Sequence, residues 1–227
     1  MEAIVLAGGF GTRLQSVVSD RPKPMADING EPFLKYILEY LKRFDISKVV
    51  LSTGYMSEVI EDYFKDSYKG MSIVYSKEET PLGTGGAIKR GLSYCSEDDI
   101  IVLNGDTFFD VDIYSLMQRH KSLDADITLS LKKMYDFDRY GTVEVDENFI
   151  LNFKEKMYVD EGLINGGVYA IKKKRFDIIA DKFSIEKDVL EKREKRLGYA
   201  ISDGYFIDIG IPQDYQKAKE DFKKLDN

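Results

Sequence analysis

The sequence predicts an α/β protein: a single Rossmann-like domain of three α/β/α layers, with a mostly parallel (mixed) central sheet and a small antiparallel insertion. Short apolar or β-branched runs alternate with amphipathic stretches through the first half of the chain, and after about residue 135 shorter strands follow one another directly. No linker or internal repeat interrupts the 227 residues. A domain of this length can bury a core without disulfides or a structural metal.

The first half supplies five predicted strands and four predicted helices. In the first helix, the apolar residues Phe33, Ile37, Leu41 and Phe44 recur every three or four positions, as one buried helix face requires. The other segments follow from similar spacing or from short β-branched runs. The predicted strands are 3–7, 48–53, 72–76, 100–104 and 126–131, and the predicted helices are 33–44, 57–64, 85–94 and 113–120.

The second half predicts a hairpin, further mixed structure and a terminal helix. Asp146-Glu147-Asn148 separates two short β-branched runs and suits a hairpin turn. Pro212 marks the beginning of the last helix, because proline fits the first helical turn. The predicted segments are strands 142–145 and 149–153, helices 173–181 and 184–195, strands 198–202 and 205–209, and a helix 212–224.

Charge, hydropathy and cysteine content narrow the functional classes. The chain has 33 Lys and Arg against 40 Asp and Glu, a formal net charge of −7, and no basic cluster, which argues against a nucleic-acid partner. Its apolar runs are far shorter than the ~20 residues that span a membrane, and no basic segment of a signal peptide precedes them, so we expect a cytoplasmic protein. The single cysteine, Cys95, excludes an intramolecular disulfide, and the single histidine, His120, is expected on the surface.

The glycine-rich segment after the first predicted strand indicates a phosphate-binding loop. Gly8, Gly9 and Gly11 would let backbone N–H groups approach an anion without side-chain obstruction. Arg13 can donate a forked pair of hydrogen bonds to phosphate oxygens, and Lys23 supplies a second cation. A dinucleotide fingerprint would require glycine at position 14, where leucine stands, and no Walker A motif occurs.

Two aspartates follow apolar strands and indicate a metal site. Asp106 comes just after the strand 100–104, and Asp208 lies within the segment 205–209. In an open α/β sheet, ligands bind beyond the carboxyl ends of the strands, which is the edge where the glycine loop lies. Because Mg²⁺ prefers oxygen ligands and is often shared with substrate phosphates, the sequence predicts Mg²⁺ on these two carboxylates.

The segments L-A-G-G-F-G-T-R-L (6–14) and R-P-K-P-M (21–25) resemble the signature of the sugar-1-phosphate nucleotidyltransferases. The resemblance covers nearly the whole chain. It implies a fold of the nucleotide-diphospho-sugar transferase type, with nucleotide binding at about 1–134, sugar-phosphate binding at about 135–211 and a C-terminal helix at 212–225. It also implies that the catalytic residues are Arg13, Lys23, Asp106 and Asp208, and that the nucleotide contacts Leu6, Ala7, Gly8, Gly9, Gly11, Thr12, Arg13 and Lys23.

The segment E-E-T-P-L-G-T-G-G (78–86) indicates which base is bound. Family members that use thymidine or uridine nucleotides have a glutamine three residues before the proline, and Glu78 stands there in this sequence. A carboxylate only accepts hydrogen bonds, and guanine offers N1–H and an amino group as donors. Glu78 or Glu79 therefore favours GTP, and Gly83 and Thr84 complete the predicted nucleotide site.

The family pattern also implies a sugar-phosphate site. Lys156 is expected to meet the 1-phosphate, and Glu155 and Asn165 are available to sugar hydroxyl groups. Gly141 belongs to the same pattern. Lys187 lies in S-I-E-K-D (184–188), which resembles the guanylyltransferase branch, and is a further candidate on the sugar side.

These resemblances imply transfer of GMP from GTP to a sugar 1-phosphate, with release of pyrophosphate. A heptose 1-phosphate is favoured, and mannose 1-phosphate or another nucleotide (UTP, dTTP or CTP) is the alternative within the family. Two other classes stay open. A glycosyltransferase would need no triphosphate site and would release no pyrophosphate, and a silent regulatory subunit would bind nucleotide without making product. A homodimer also stays open.

Overall fold

The computed structural model describes residues 1–9, 14, 18 and 21–223. The helices formed by these residues are α1 (Phe33–Lys42), α2 (Ser57–Phe64), α3 (Gly83–Leu92), α4 (Ile113–Leu123) and α5 (Pro212–Phe222). Their strands are β1 (Glu2–Leu6), β2 (Asp27–Ile28), β3 (Glu31–Pro32), β4 (Lys48–Thr53), β5 (Ser67–Tyr68), β6 (Met71–Lys77), β7 (Asp99–Asn104), β8 (Thr107–Phe109), β9 (Ile127–Phe137), β10 (Val143–Val145), β11 (Ile150–Phe153), β12 (Val159–Lys172), β13 (Leu197–Ser202) and β14 (Phe206–Asp208).

Eight strands form a mainly parallel mixed sheet in the order β13-β9-β12-β7-β1-β4-β6-β5. Strand β1 pairs in parallel with β4 and β7, and β12 pairs antiparallel with β7 and β9. Small antiparallel pairs stand beside this sheet: β10 with β11, β14 with β8, and β2 with β3. The predicted fold class and the predicted hairpin are therefore confirmed.

Helices cover both faces of the sheet and divide the apolar side chains between two cores. On β1, Ala3 and Val5 belong to one core, whereas Ile4 belongs to the other. The first core receives buried side chains from α1, α2, α4 and α5. The second receives Ile88 and Leu92 of α3 together with the chain around residues 183–190. This alternation is the period-2 pattern expected of a strand that is buried on both faces.

Local sequence explains several element boundaries. Helix α1 buries Phe33, Ile37 and Leu41, as its spacing predicts. Helix α4 begins after Asp112, whose carboxylate accepts hydrogen bonds from the backbone N–H groups of Tyr114 and Ser115 at 3.0 and 3.2 Å. Four of the five predicted strands of the first half, and the terminal helix, are confirmed to within a few residues.

The two helices predicted at 173–181 and 184–195 are wrong. The structure has only a 3₁₀ turn at Lys173–Arg175 and one turn of π-helix at Glu186–Leu190. The intervening chain packs against α3: Phe183 N donates to the carbonyl of Leu82, and Phe183 O accepts from Gly85 N at 3.0 Å. Within the predicted segments, the carbonyls of Ile179 and Ala180 accept from Lys89, and Ile185 N donates to the hydroxyl of Thr84. These backbone groups are therefore bonded to α3 and not to a helix ladder of their own.

Two further expectations are corrected. Strand β9 runs to residue 137, well beyond the predicted 126–131. His120 is fully buried rather than exposed, and its Nδ1 shares a 2.8 Å hydrogen bond with the hydroxyl of Thr128.

No helix in the described part of the chain is long and apolar enough to cross a membrane.

Candidate active site

The candidate site lies beyond the carboxyl ends of β1, β4 and β7, where ligands bind in open α/β sheets. Gly8 continues from β1, and a Cβ atom there would lie 3.0 Å from Glu78 Oε1. Gly105 follows β7, and its Cβ would lie only 2.5 Å from the carbonyl oxygen of Leu6. Glycine at these positions lets the ends of the strands and Glu78 approach one another closely. Gly11, Thr12 and Arg13 lie outside the described residues.

A cavity of about 290 Å³ opens at this edge of the sheet. It contains most of the predicted nucleotide residues that the structure describes. Ala7 is buried beneath it, and Glu79 is exposed and does not line it. The lining residues are Leu6, Gly8, Gly9, Lys23, Pro24, Glu78, Pro81, Gly83, Thr84, Ala87, Asn104 and Asp106.

Glu78 is held in a fixed orientation by two hydrogen bonds. Its Oε2 accepts from the backbone N–H of Leu82 at 2.9 Å, and its Oε1 accepts from the hydroxyl of Ser52 at 3.3 Å. Two carboxylate oxygens offer about four acceptor positions in all. Glu78 therefore keeps acceptor capacity on the wall of the cavity, whereas Glu79 faces solvent.

A lysine between two aspartates forms the charged centre of the site. Lys23 Nζ lies 2.6 Å from Asp106 Oδ2 and 3.6 Å from Asp208 Oδ1, and only 12% of the Lys23 side chain is exposed. The antiparallel pair β8–β14 sets Thr107 opposite Asp208, which brings the two carboxylates together. Lys23 itself begins a 3₁₀ turn after Pro22. The structure thus unites three of the four residues predicted to be catalytic.

The pKa of Asp208 reflects its burial and the charged groups around it. Burial raises the pKa of Asp208, the nearby Asp106 carboxylate raises it further, and the Lys23 ammonium lowers it. Asp208 Oδ1 also accepts a 2.7 Å hydrogen bond from Gly210 N. The Lys23 ammonium between the two carboxylates offsets their mutual repulsion.

The donor set at this centre fits Mg²⁺. Two carboxylates flank one position that a cation, the Lys23 ammonium, already occupies. Within residues 1–9, 14, 18 and 21–223, no group of three or more His, Cys, Asp or Glu side chains is arranged to hold a metal ion. A pair of carboxylates suits Mg²⁺, which is usually bound by one or two carboxylates together with substrate phosphates and water.

A second cavity, of about 680 Å³, adjoins the first on the side of the small antiparallel sheets. Asn104 lines both cavities, and Asp208 lines the second as Asp106 lines the first. Of the predicted sugar-phosphate residues, it contains Gly141, Lys156 and Asn165. The full lining is Asn104, Thr107, Arg139, Tyr140, Gly141, Lys156, Asn165, Gly166, Gly167, Glu186, Phe206, Asp208, Gly210, Ile211 and Asp214.

Not every predicted sugar-side residue reaches this cavity. Glu155 and Lys187 are exposed and do not line it. Asn165 lines it, but Nδ2 of its side-chain amide donates to the hydroxyl of Tyr169 at 2.9 Å, and its Oδ1 accepts from Gly167 N at 3.0 Å. Asn165 therefore shapes the β12 backbone, and one N–H and one acceptor position of its amide remain for a ligand.

Among the lining residues that sequence reasoning missed are the charged Arg139, Glu186 and Asp214 and the amide Asn104. Arg139 Nη2 lies 2.6 Å from Asp214 Oδ2, so this pair joins the loop after β9 to the beginning of α5. In S-I-E-K-D the sequence predicted Lys187, whereas the neighbouring Glu186 lines the cavity. Which of the two side chains faces inward depends on the π-helical turn, and the sequence spacing does not indicate that turn.

Comparison with known proteins identifies the class. A family model described as Nucleotidyl transferase matches residues 2–224, and the chain belongs to this family, as its glycine loop predicted. It is 52% identical over 227 residues to D-glycero-alpha-D-manno-heptose 1-phosphate guanylyltransferase of Aneurinibacillus thermoaerophilus, covering 98% of this chain and 99% of that protein. The protein of the same name from Campylobacter jejuni is 51% identical over 219 residues, with 95% and 97% coverage.

A solved structure shows the same similarity. The crystal structure of HddC from Yersinia pseudotuberculosis, complexed with GMP-PN, matches this chain with a TM-score of 0.87 at 40% identity. The match covers 97% of this chain and 99% of that one. The similarity thus extends over nearly the whole length of both chains.

Proposed function

We propose that this protein transfers GMP from GTP to D-glycero-α-D-manno-heptose 1-phosphate, giving the GDP-heptose and pyrophosphate. The observation that carries the proposal is the position of Lys23 between Asp106 and Asp208, where the two cavities meet. One cavity suits a nucleoside triphosphate and the other a phosphorylated sugar. The heptose is proposed because the relatives of 52% and 51% identity carry that substrate in their names.

The reaction we propose is a direct in-line displacement. A phosphate oxygen of the sugar 1-phosphate forms a bond to the α-phosphorus of GTP, and the bond from that phosphorus to the β-phosphate oxygen breaks to release pyrophosphate. Catalysis then rests on positioning and on neutralising charge. Holding the two reactants in adjoining cavities can supply about 7–11 kcal/mol of the barrier reduction.

We assign the charged side chains to this reaction as follows. Lys23 and, by family resemblance, Arg13 would neutralise the phosphates of GTP, while Lys156 on the wall of the second cavity would meet the 1-phosphate. Asp106 and Asp208 would hold Mg²⁺, which when bound supplies positive charge next to the phosphates.

For base recognition we propose Glu78 rather than Glu79. Glu78 lines the first cavity and is held in place by Leu82 N and Ser52, whereas Glu79 is exposed. Its carboxylate can accept hydrogen bonds from guanine N1–H and the amino group. Uracil and thymine present an acceptor in place of that amino group, so GTP should be strongly preferred.

We place the reaction in the cytoplasm, because the lone, buried Cys95 agrees with a reducing compartment.

The proposal is tested by pyrophosphate release with Mg²⁺ across GTP, UTP, dTTP and CTP. Each nucleotide is paired with heptose, mannose and glucose 1-phosphates. Release with GTP and the heptose phosphate alone supports the base, the sugar and the reaction class together. Release with UTP or dTTP would overturn the role of Glu78, preference for mannose 1-phosphate would overturn the sugar, and no release with any pair would favour a silent binding subunit.

A further inference from the structure

Glu186 lies between the two cavities and contacts both of their walls. It lines the second cavity, beside Lys156 and Asn165. Its Oε2 accepts a 2.7 Å hydrogen bond from the hydroxyl of Thr84, which lines the first cavity. A second hydroxyl, that of Ser184, donates to the same oxygen at 2.6 Å. This carboxylate is therefore fixed in position from the nucleotide side.

The hydrogen bonds of Glu186 are unevenly distributed between its two oxygens. Both hydroxyl donors bind Oε2, and no described residue donates to Oε1 or forms an ion pair with this carboxylate. The side chain is only partly buried, and it stands on the wall of a cavity large enough for a sugar phosphate. An ionised carboxylate held in this way keeps at least two acceptor positions.

The other acceptors on this wall are neutral or are paired with a cation. The Asn165 amide is bonded to Tyr169 and Gly167. Asp214 accepts from Arg139, and Asp208 belongs to the charged centre. Since a sugar presents several hydroxyl donors, a charged acceptor with an available oxygen is the group best suited to bind one of them.

We propose that Glu186 accepts a hydrogen bond from a ring or side-chain hydroxyl of the sugar 1-phosphate and selects the sugar by it. This inference rests on the proposed function and deepens it. Thr84, which the sequence predicted to bind nucleotide, instead uses its hydroxyl to orient Glu186, and it accepts in turn from Ile185 N at 3.0 Å. The S-I-E-K-D segment thus acts through Glu186 and not through the exposed Lys187.

The test compares Glu186→Gln with Glu191→Gln. Both substitutions remove one negative charge from the same segment, but the Glu191 side chain is exposed and lines neither cavity. Glutamine keeps the size of the side chain and can still accept from Thr84. We expect kcat/KM for heptose 1-phosphate to fall by about 10- to 100-fold in the Glu186 variant, as for loss of a hydrogen bond to a charged group. The KM for GTP should change less than about threefold, and the control should match the wild type.

Monodeoxy analogues of the sugar phosphate distinguish binding from a structural role. One analogue will lack the hydroxyl that Glu186 binds. The wild type should use this analogue with about the same reduced kcat/KM that Glu186→Gln shows with the full sugar. Replacing Glu186 should lower the kcat/KM for this analogue little further. Equal losses with every analogue, or an equal rise in the KM for GTP and for the sugar, would show that Glu186 only supports Thr84. Unchanged thermal unfolding midpoints confirm that both variants fold.

Failure of the inference and failure of the proposed function give different results. If the wild type turns over a different sugar phosphate, the same comparison is made with that sugar. If it turns over none, calorimetric binding of heptose 1-phosphate to the wild type and to Glu186→Gln replaces the kinetics. Weaker binding by the variant alone supports the inference, whereas equal binding, or no binding by either protein, overturns it.

Discussion

At the residue scale, Lys23 connects the charges of the candidate site. Its ammonium lies 2.6 Å from Asp106 and 3.6 Å from Asp208, the two carboxylates that would hold Mg²⁺. The ammonium and a metal ion therefore compete for the same two carboxylates as long as no phosphate draws the lysine away. Metal binding should consequently be weak before nucleotide is present.

Replacing Lys23 should expose this competition. We expect Lys23→Met to bind Mn²⁺ at least about tenfold more tightly than the wild type in the absence of nucleotide, because one opposing charge is gone. Turnover should fall at the same time. Electron paramagnetic resonance of free Mn²⁺ measures the affinity, and Lys35→Met, which removes an ammonium paired only with Glu31 at the surface, is the control. Equal or weaker Mn²⁺ binding by Lys23→Met would refute the competition.

Single residues also show how far the site could be predicted. Asp106 and Asp208 stand at strand ends and Lys23 stands in the segment R-P-K-P-M, and the structure brings the three side chains together. Glu186 could not be chosen from its segment, because which side chain faces the cavity depends on packing against α3. The burial of His120 was likewise missed, since one polar residue near a helix end gives no sign of a hydroxyl partner 8 residues away.

At the element scale, the chain 176–185 serves as a cover over the beginning of α3. Lys89 donates to the carbonyl oxygens of Ile179 and Ala180 and pairs with Asp181 at 2.7 Å. Gly85 and Gly86 of α3 leave room for this chain: their Cβ atoms would lie 2.2 Å from the Phe183 ring and from Asp181 O, respectively. The first turn of the nucleotide-side helix therefore depends on an irregular segment a hundred residues later.

Gly86→Ala should destabilise the protein even though alanine is the better helix former. Helix propensity favours alanine by up to about 1 kcal/mol, but a methyl group 2.2 Å from a backbone oxygen forces the covering chain to move. Such overpacking costs about 1–3 kcal/mol. We expect a net loss in the free energy of unfolding in urea and a higher KM for GTP.

Gly91→Ala is the matched control in the same helix. Its methyl group would meet only side-chain atoms of Ile4, at 3.1 Å, which can shift. It should be less destabilising than Gly86→Ala. If Gly86→Ala proved neutral or stabilising, the covering chain would not be held against α3 as described.

Elements whose apolar pattern matches their burial were predictable, and the others were not. Strands β1, β4 and β7 are short runs buried on both faces, and α1 has a regular apolar stripe. The segments 173–181 and 184–195 contain enough apolar and charged residues to resemble helices. Their backbone groups nevertheless bond to α3, a tertiary contact that local spacing cannot indicate.

At the scale of the whole molecule, the buried His120 should make stability depend on pH. Burial lowers its pKa, and Lys172 lowers it further, whereas the charges of Asp99 and Asp126 oppose this. The folded state therefore binds a proton less readily than the unfolded chain. Stability is fully present above the unfolded pKa of about 6.5 and is lost as the pH falls toward the folded pKa.

This dependence is measured as the free energy of unfolding in urea between about pH 5 and pH 8. Below about pH 6.5 the wild type should lose up to about 1.4 kcal/mol per pH unit more than His120→Gln does. The variant keeps a hydrogen-bonding group for Thr128 but cannot take up a proton. Parallel curves for the two proteins would show that His120 is not the titrating group.

The central claim about the whole molecule is that two adjoining cavities carry out one transfer at the Asp106–Lys23–Asp208 centre. The most direct test supplies GTP labelled at the α-phosphorus together with heptose 1-phosphate and Mg²⁺, and follows the label in the wild type and in Asp106→Ala. We predict one labelled GDP-sugar for each pyrophosphate released, and a turnover at least about 10²-fold lower in the folded variant. Near-normal turnover by Asp106→Ala, or label released without a sugar attached, would contradict it.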